Sequence, residues 1–129
     1  MSEARARLDA LPNLYPHLFQ GGPLPWGFEV GDGWSDLIAT LCVRIDSILR
    51  EAPGAQFEIL QVKEKFGALR FYYEIDGVEE SISEAVLEAV MLAGKASVHI
   101  CERCGRPGDH GSKEGWLFTR CAVCQAGDP

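Results

Sequence analysis

Near one end of the chain, Cys101-Glu-Arg-Cys104 is followed after sixteen residues by Cys121-Ala-Val-Cys124. No other feature so narrows what the chain can fold into. Two C-x-x-C pairs at this separation have the spacing of a tetrahedral Cys₄ site of the zinc-ribbon type. Each pair closes a tight turn that aims both sulfurs at one ion, and the intervening chain brings the two turns together. Gly105 follows the second cysteine, where a knuckle needs a residue tolerant of positive φ. Four thiolates suit zinc best. A closed shell leaves no position for a reactive water, so the expectation is one structural Zn²⁺ per chain, held by Cys101, Cys104, Cys121 and Cys124.

The chain has 129 residues, of which 47% are hydrophobic and 24% charged. That is enough for one α+β body with a small metal-stapled appendage, burying about two-thirds of its unfolded surface. No apolar run approaches the roughly 20 residues that span a bilayer, and the first residues are too polar for a signal peptide. The expected location is therefore the cytoplasm, where thiols stay reduced and serve metals. The fifth cysteine, Cys42, falls on the apolar stripe of a predicted helix and reads as a buried, inert thiol.

The net charge of −7 is unevenly spread. Residues 99–129 balance Arg103, Arg106, Lys113 and Arg120 against Glu102, Asp109, Glu114 and Asp128. Residues 1–98 hold the other fifteen acidic and eight basic side chains. A nucleic-acid binder would show a basic stripe, and none is visible.

Hydrophobic periodicity divides the chain into a body over 1–98 and a ribbon over 99–129. Residues 1–27 read as irregular, with a short amphipathic piece over 4–11 stopped by Pro12. Trp34, Leu37, Ile38, Leu41, Cys42 and Ile45 recur at helical spacing, predicting a helix over 34–50 with Asp32 as its cap. A hairpin follows over 56–75, pairing 56–63 with 68–75. A phase slip between Ile59 and Leu60 predicts a bulge or burial on both faces. A second helix is predicted over 79–97, with Ile82, Val86, Val90 and Ala93 inward and Leu87 and Met91 widening that face. Trp116, Leu117 and Phe118 are expected to form an apolar seam between ribbon and body.

Phe28-Glu-Val30 before Gly31-x-Gly33 outlines a nucleotide-binding turn. It lacks the third glycine, a P-loop lysine and a convincing second parallel strand. The three histidines meet no nucleophile motif, and the closed shell leaves a metal-dependent nuclease no open position, so no enzyme is expected. Two surfaces remain as candidate contacts. One is the acidic stripe of Glu80, Glu84 and Glu88, joined by Glu79 and Asp76. The other is the hairpin tip carrying Lys63, Lys65 and Phe66.

The strings Phe28-Glu-Val-Gly-Asp-Gly-Trp34-Ser-Asp-Leu-Ile38 and Gln61-Val-Lys-Glu-Lys-Phe-Gly-Ala-Leu-Arg-Phe-Tyr-Tyr73, followed by a C-x-x-C knuckle, resemble a family of small uncharacterised proteins of phages, prophages and bacterial genomes. The resemblance covers about residues 14–125, and Ala68 stands where the family pattern has a second glycine. It implies an accessory protein and transfers no catalytic residue. The expected function is a non-enzymatic zinc-binding interaction protein of a phage or mobile element, using its acidic surface to bind and inhibit a host defence complex. The alternative is a nucleic-acid-binding or transcription-associated zinc ribbon, carried by Arg103, Arg106, Lys113 and Arg120.

Overall fold

A computed structural model describes residues 2–126; Asp128 and the end of the predicted ribbon segment lie outside them. The fold is α+β. Among the described residues four α-helices accompany a three-stranded sheet and a separate two-stranded hairpin, and Cys101, Cys104, Cys121 and Cys124 gather together beside that hairpin.

Helix α1 spans Glu3–Leu14, starting at Ser2, whose hydroxyl accepts from the Arg5 N–H. It passes through Pro12 rather than stopping before it. Pro12 lies in the last turn, where it forfeits only the donor that would reach Leu8, and it is buried with Leu8 and Leu11. Burial of that face outweighs the lost hydrogen bond.

Strand β1 is only Phe28–Glu29, and it pairs in parallel with Val62 and Lys63 of the next strand, β2 (Gln56–Lys65). The parallel partner that the sequence did not reveal therefore exists. A 3₁₀ turn, Asp32–Trp34, leads into α2, Ser35–Leu49. Asp32 does not cap α2. Its carboxylate instead accepts from the Ser2 hydroxyl at 2.6 Å and from Arg5 Nε at 2.9 Å. The Ser2 hydrogen bond, and then the Arg5 charge, hold that carboxyl below its usual range. Arg5 also donates to the carbonyls of Phe28 and Val30. One guanidinium thus satisfies the open edge of β1 and ties α1 to it.

Strand β2 is Gln56–Lys65 and β3 is Ala68–Asp76, antiparallel, with sheet order β1-β2-β3. Of the two readings of the phase slip the bulge is the one that forms: Ile59 faces Tyr73 and Gln61 faces Tyr72, leaving Leu60 unpaired. The strands run further toward the tip than predicted. Phe66 (φ 57°) and Gly67 (φ 79°) close a two-residue turn with both φ positive, the type I′ geometry that matches strand twist. Phe57, Ile59, Val62, Leu69 and Phe71 point into the core beside Trp34, Ile38, Leu41 and Ile45 of the helical layer. Helix α3, Glu80–Ser97, packs on β3 and α2 through Val86, Ala89 and Ala93. Its last buried residue, Ser97, accepts from the Leu69 N–H at 3.0 Å.

Replacing Arg5 by Met keeps the side-chain bulk and strips hydrogen-bond donors from two carbonyls and one carboxylate. Unfolding free energy should fall by about 2–4 kcal/mol in urea titration. Arg5→Lys should recover less than half of that, because an ammonium cannot fork between two carbonyls.

Candidate metal centre

The first cysteine pair follows directly on α3. A reverse turn over 101–105 is closed by the Gly105 N–H on the Cys101 carbonyl at 2.9 Å and by the Cys101 N–H on the Arg106 carbonyl at 2.7 Å. Gly105 adopts the positive φ its place in the knuckle requires, 81°. The chain then makes a hairpin of β4, Asp109–Lys113, and β5, Trp116–Arg120. Its turn repeats the solution used by the larger hairpin: Glu114 (φ 53°) then Gly115 (φ 85°). Cys121 ends this hairpin and opens the short helix α4, Ala122–Ala126, and the Cys124 N–H approaches Cys121 Sγ at 3.4 Å. The sixteen-residue spacer is thus a hairpin that returns the second pair to the first.

All four Sγ atoms lie within 4.8 Å of one another, and Cys104 Sγ is 3.6 Å from Cys121 Sγ. A tetrahedron with metal–sulfur bonds of about 2.3 Å has sulfur–sulfur edges of about 3.8 Å. The donor set fits a four-coordinate, thiophilic ion. Cys101 and Cys121 are buried, Cys124 is half-buried and Cys104 exposed. Burial pushes the Cys101 thiol up, but backbone N–H groups of Cys121, Cys104 and Arg103 outweigh it and bring it to about 6. The Cys124 N–H likewise lowers Cys121. Hydrogen bonding to Cys121 pushes Cys124 up to about 12. Without an ion the four sulfurs hold their protons unequally; a bound ion takes the place of those protons. Among the described residues no histidine joins the cluster. His110 Nε2 instead meets the Phe66 carbonyl at 2.8 Å.

The centre is fastened to the body by the turn that resembled a nucleotide loop. The Gly33 N–H donates to the Glu102 carbonyl at 2.9 Å. The fully buried Trp34 donates its indole N–H to the Ile100 carbonyl at 2.9 Å. The two backbones approach so closely that a Cβ on Gly33 would stand 2.0 Å from the Cys101 carbonyl oxygen, and one on Gly31 2.1 Å from that of Glu102. Gly31-Asp-Gly33 is a seat for the first knuckle. A second fastening joins the two hairpins. The Thr119 hydroxyl, buried, donates to the Gly67 carbonyl at 2.6 Å. The Glu102 carboxylate accepts from the Thr119 N–H at 3.0 Å and lies 3.9 Å from Arg120 Nε. Burial raises the Glu102 carboxyl above its usual range.

The seam expected from Trp116, Leu117 and Phe118 is not where the ribbon meets the body. Trp116 is 79% exposed, Leu117 is exposed and Phe118 half-buried. Alternation along β5 turns Thr119 inward instead, so a small hydroxyl replaces the aromatic contact. The acidic residues Asp76, Glu79, Glu80, Glu84 and Glu88 are all exposed. Glu80 lies roughly 25 Å up the axis of α3 from the cysteines. Lys63 is half-buried within β2 and pairs across from Arg70. Lys65 is exposed at the tip with its Nζ 5.3 Å from the ring of Phe66, which points outward. Cys42 is fully buried, and loss of solvation pushes its thiol up to about 12. Arg5 and Thr119 carry no sequence signal for these roles; Gly31 and Gly33 stand out in the string GDGW, but nothing local shows that they receive the cysteine knuckle.

Comparison with family models, with curated proteins and with solved structures gives no match for this chain. The class that fold and site define is an α+β protein bearing a Cys₄ metal-binding cluster of the ribbon type. Among the described residues no helix is long and apolar enough to cross a membrane.

Elemental analysis of protein purified without chelator should find one metal ion per chain. Thiol titration after chelation should then show four reactive cysteines, with Cys42 silent until the chain unfolds. Gly33→Ala, although no ligand is touched, should lower both metal affinity and stability, the latter by more than about 3 kcal/mol, because the clash is with backbone.

Proposed function

We propose that this chain is a non-enzymatic interaction protein, stapled by one structural zinc ion, that binds a basic protein partner through the acidic edge of α3. The observation that carries the reading is the placement of Asp76, Glu79, Glu80, Glu84 and Glu88. All five are exposed, and the last three fall on one line of the helix at i, i+4 spacing. Such a row gains nothing within the chain, since like charges at that spacing mildly oppose the helix. Facing a basic partner it speeds encounter and sets orientation. Zinc is the ion because four thiolates favour it and because a filled Cys₄ shell holds a fold rather than a substrate. The resemblance of the GDGW and QVKEKFG strings to phage and prophage proteins supports a host complex as the partner, inhibited by cover of a basic groove.

The nucleic-acid alternative draws on Arg103, Arg106, Lys113 and Arg120. Arg120 is already engaged: it lies over the Phe118 ring at 5.0 Å and faces Glu102. With a net charge of −7, the protein would repel phosphate over most of its surface.

Affinity capture from bacterial lysate, followed by association kinetics with the captured protein, tests the reading. Reversing Asp76, Glu79 and Glu80 to lysine should slow association by about 10-fold or more and abolish its salt dependence. Helicity and metal content should not change. Lys63→Glu with Lys65→Glu is the matched control and should bind like the parent. Loss of binding in the control but not in the acidic variant would move the contact to the hairpin tip. Salt-sensitive retention on DNA at neutral pH would favour the alternative.

A further inference from the structure

Helix α3 carries a second surface, which the packing of the chain does not use. Leu87 and Met91, expected to widen the buried face, are 49% and 53% exposed, and Leu92 beside them is 43% exposed. With Glu84, Glu88 and Lys95 they line one shallow groove. These positions run i, i+3, i+4, i+7, i+8, i+11, a single stripe about 16 Å long on one side of the helix. The acidic Glu84 and Glu88 flank Leu87 at one end, Met91 and Leu92 follow, and the basic Lys95 closes the other end. Glu84 and Glu88 repel each other at i, i+4, and Lys95 is two turns beyond Glu88, out of reach. Among the described residues none of these three charges has an ion-pair partner.

We propose that this stripe is a self-association site whose occupant is the same stripe of a second copy of the chain, running antiparallel. A two-fold axis between Ala89 and Val90 sets Glu84 of each copy opposite Lys95 of the other. It also sets Leu87 opposite Leu92, and Glu88 beside Met91. Glu84 and Lys95, unpaired within a copy, then meet their opposites twice over by symmetry, Glu88 lies at the edge beside Met91, and the three apolar side chains of each copy leave water together. A parallel pair would set Glu84 against Glu84 and Lys95 against Lys95, so the charge order admits only the antiparallel arrangement. Three apolar side chains per copy make a small interface, and the dimer is accordingly weak and reversible. Glu84 and Glu88 belong also to the acidic row of the partner-binding reading, so the pair covers part of that row; Asp76, Glu79 and Glu80 lie beyond the stripe and remain open, and the inference does not rest on that reading.

The test is sedimentation equilibrium of the full chain, purified without chelator, from about 1 µM to about 1 mM, the range in which so small an interface should associate. The parent should pass from monomer to dimer. Lys95→Glu alone, and Glu84→Lys with Glu88→Lys alone, should each weaken self-association by about tenfold or more while circular dichroism and metal content stay as in the parent. Mixed in equal amounts, the two variants should associate again, because every opposed charge across the axis is once more of opposite sign. A parent that stays monomeric throughout overturns the proposal. So does a mixture that associates no better than its components, or a variant that dimerises as tightly as the parent.

Discussion

The approach of the first cysteine knuckle to the Gly31–Trp34 turn is the contact on which the rest of the molecule depends. Two hydrogen bonds cross it, from the Gly33 N–H and the Trp34 indole, and both acceptors are carbonyls flanking Cys101. The indole is fully buried, so its donor has no recourse to water if the knuckle opens. The same turn delivers Trp34 into the core and starts α2. A single pair of backbone segments in contact therefore sets the position of the cysteine cluster, the floor of the core and the beginning of its central helix. Only glycine fits at the closest points, which explains a glycine pair where no phosphate need be bound.

Around that contact the sheet is finished by devices that prevent further strand addition. Beyond the two residues of β1, the edge of β2 is met by the amino-terminal segment: the Ile59 N–H reaches the Leu18 carbonyl, and Gln20 donates to the Phe57 carbonyl. Arg5 covers the far side of β1. Ser97 takes up the outward Leu69 amide on β3. Each is a local answer to an exposed ladder group, and together they limit edge-to-edge aggregation in a small sheet.

Much of this was legible in the residues. The cysteine spacing located all four sulfurs, because metal geometry constrains sequence separation tightly. The 3.6-residue period located α2 and α3 to within a residue or two, and the phase slip at Leu60 located the bulge. What escaped were features decided by tertiary contact. Pro12 is a helix breaker by propensity, yet burial beside Leu8 and Leu11 carries α1 through it. A two-residue parallel strand has no period to detect. Trp116 looked like a core residue because it is large and apolar; the register of β5 decided otherwise by turning Thr119 to the inside. The polar stretch Lys63–Gly67 suggested a loop, but Phe66 and Gly67 suffice for the turn and the strands extend to meet it.

The indole-to-carbonyl bond joins residues 66 positions apart, and this has a consequence for the order in which the chain matures. During synthesis, α1, β1 and α2 leave the ribosome long before Ile100 exists. Until it arrives, the largest fully buried side chain has no acceptor for its N–H, and the floor of the core is open. Helices form early and cheaply, whereas closing so long a loop carries an entropic cost that local contacts cannot offset. Completion of the core is therefore a late, long-range event, and the nascent chain must wait in a loosely packed form for the segment that carries Ile100.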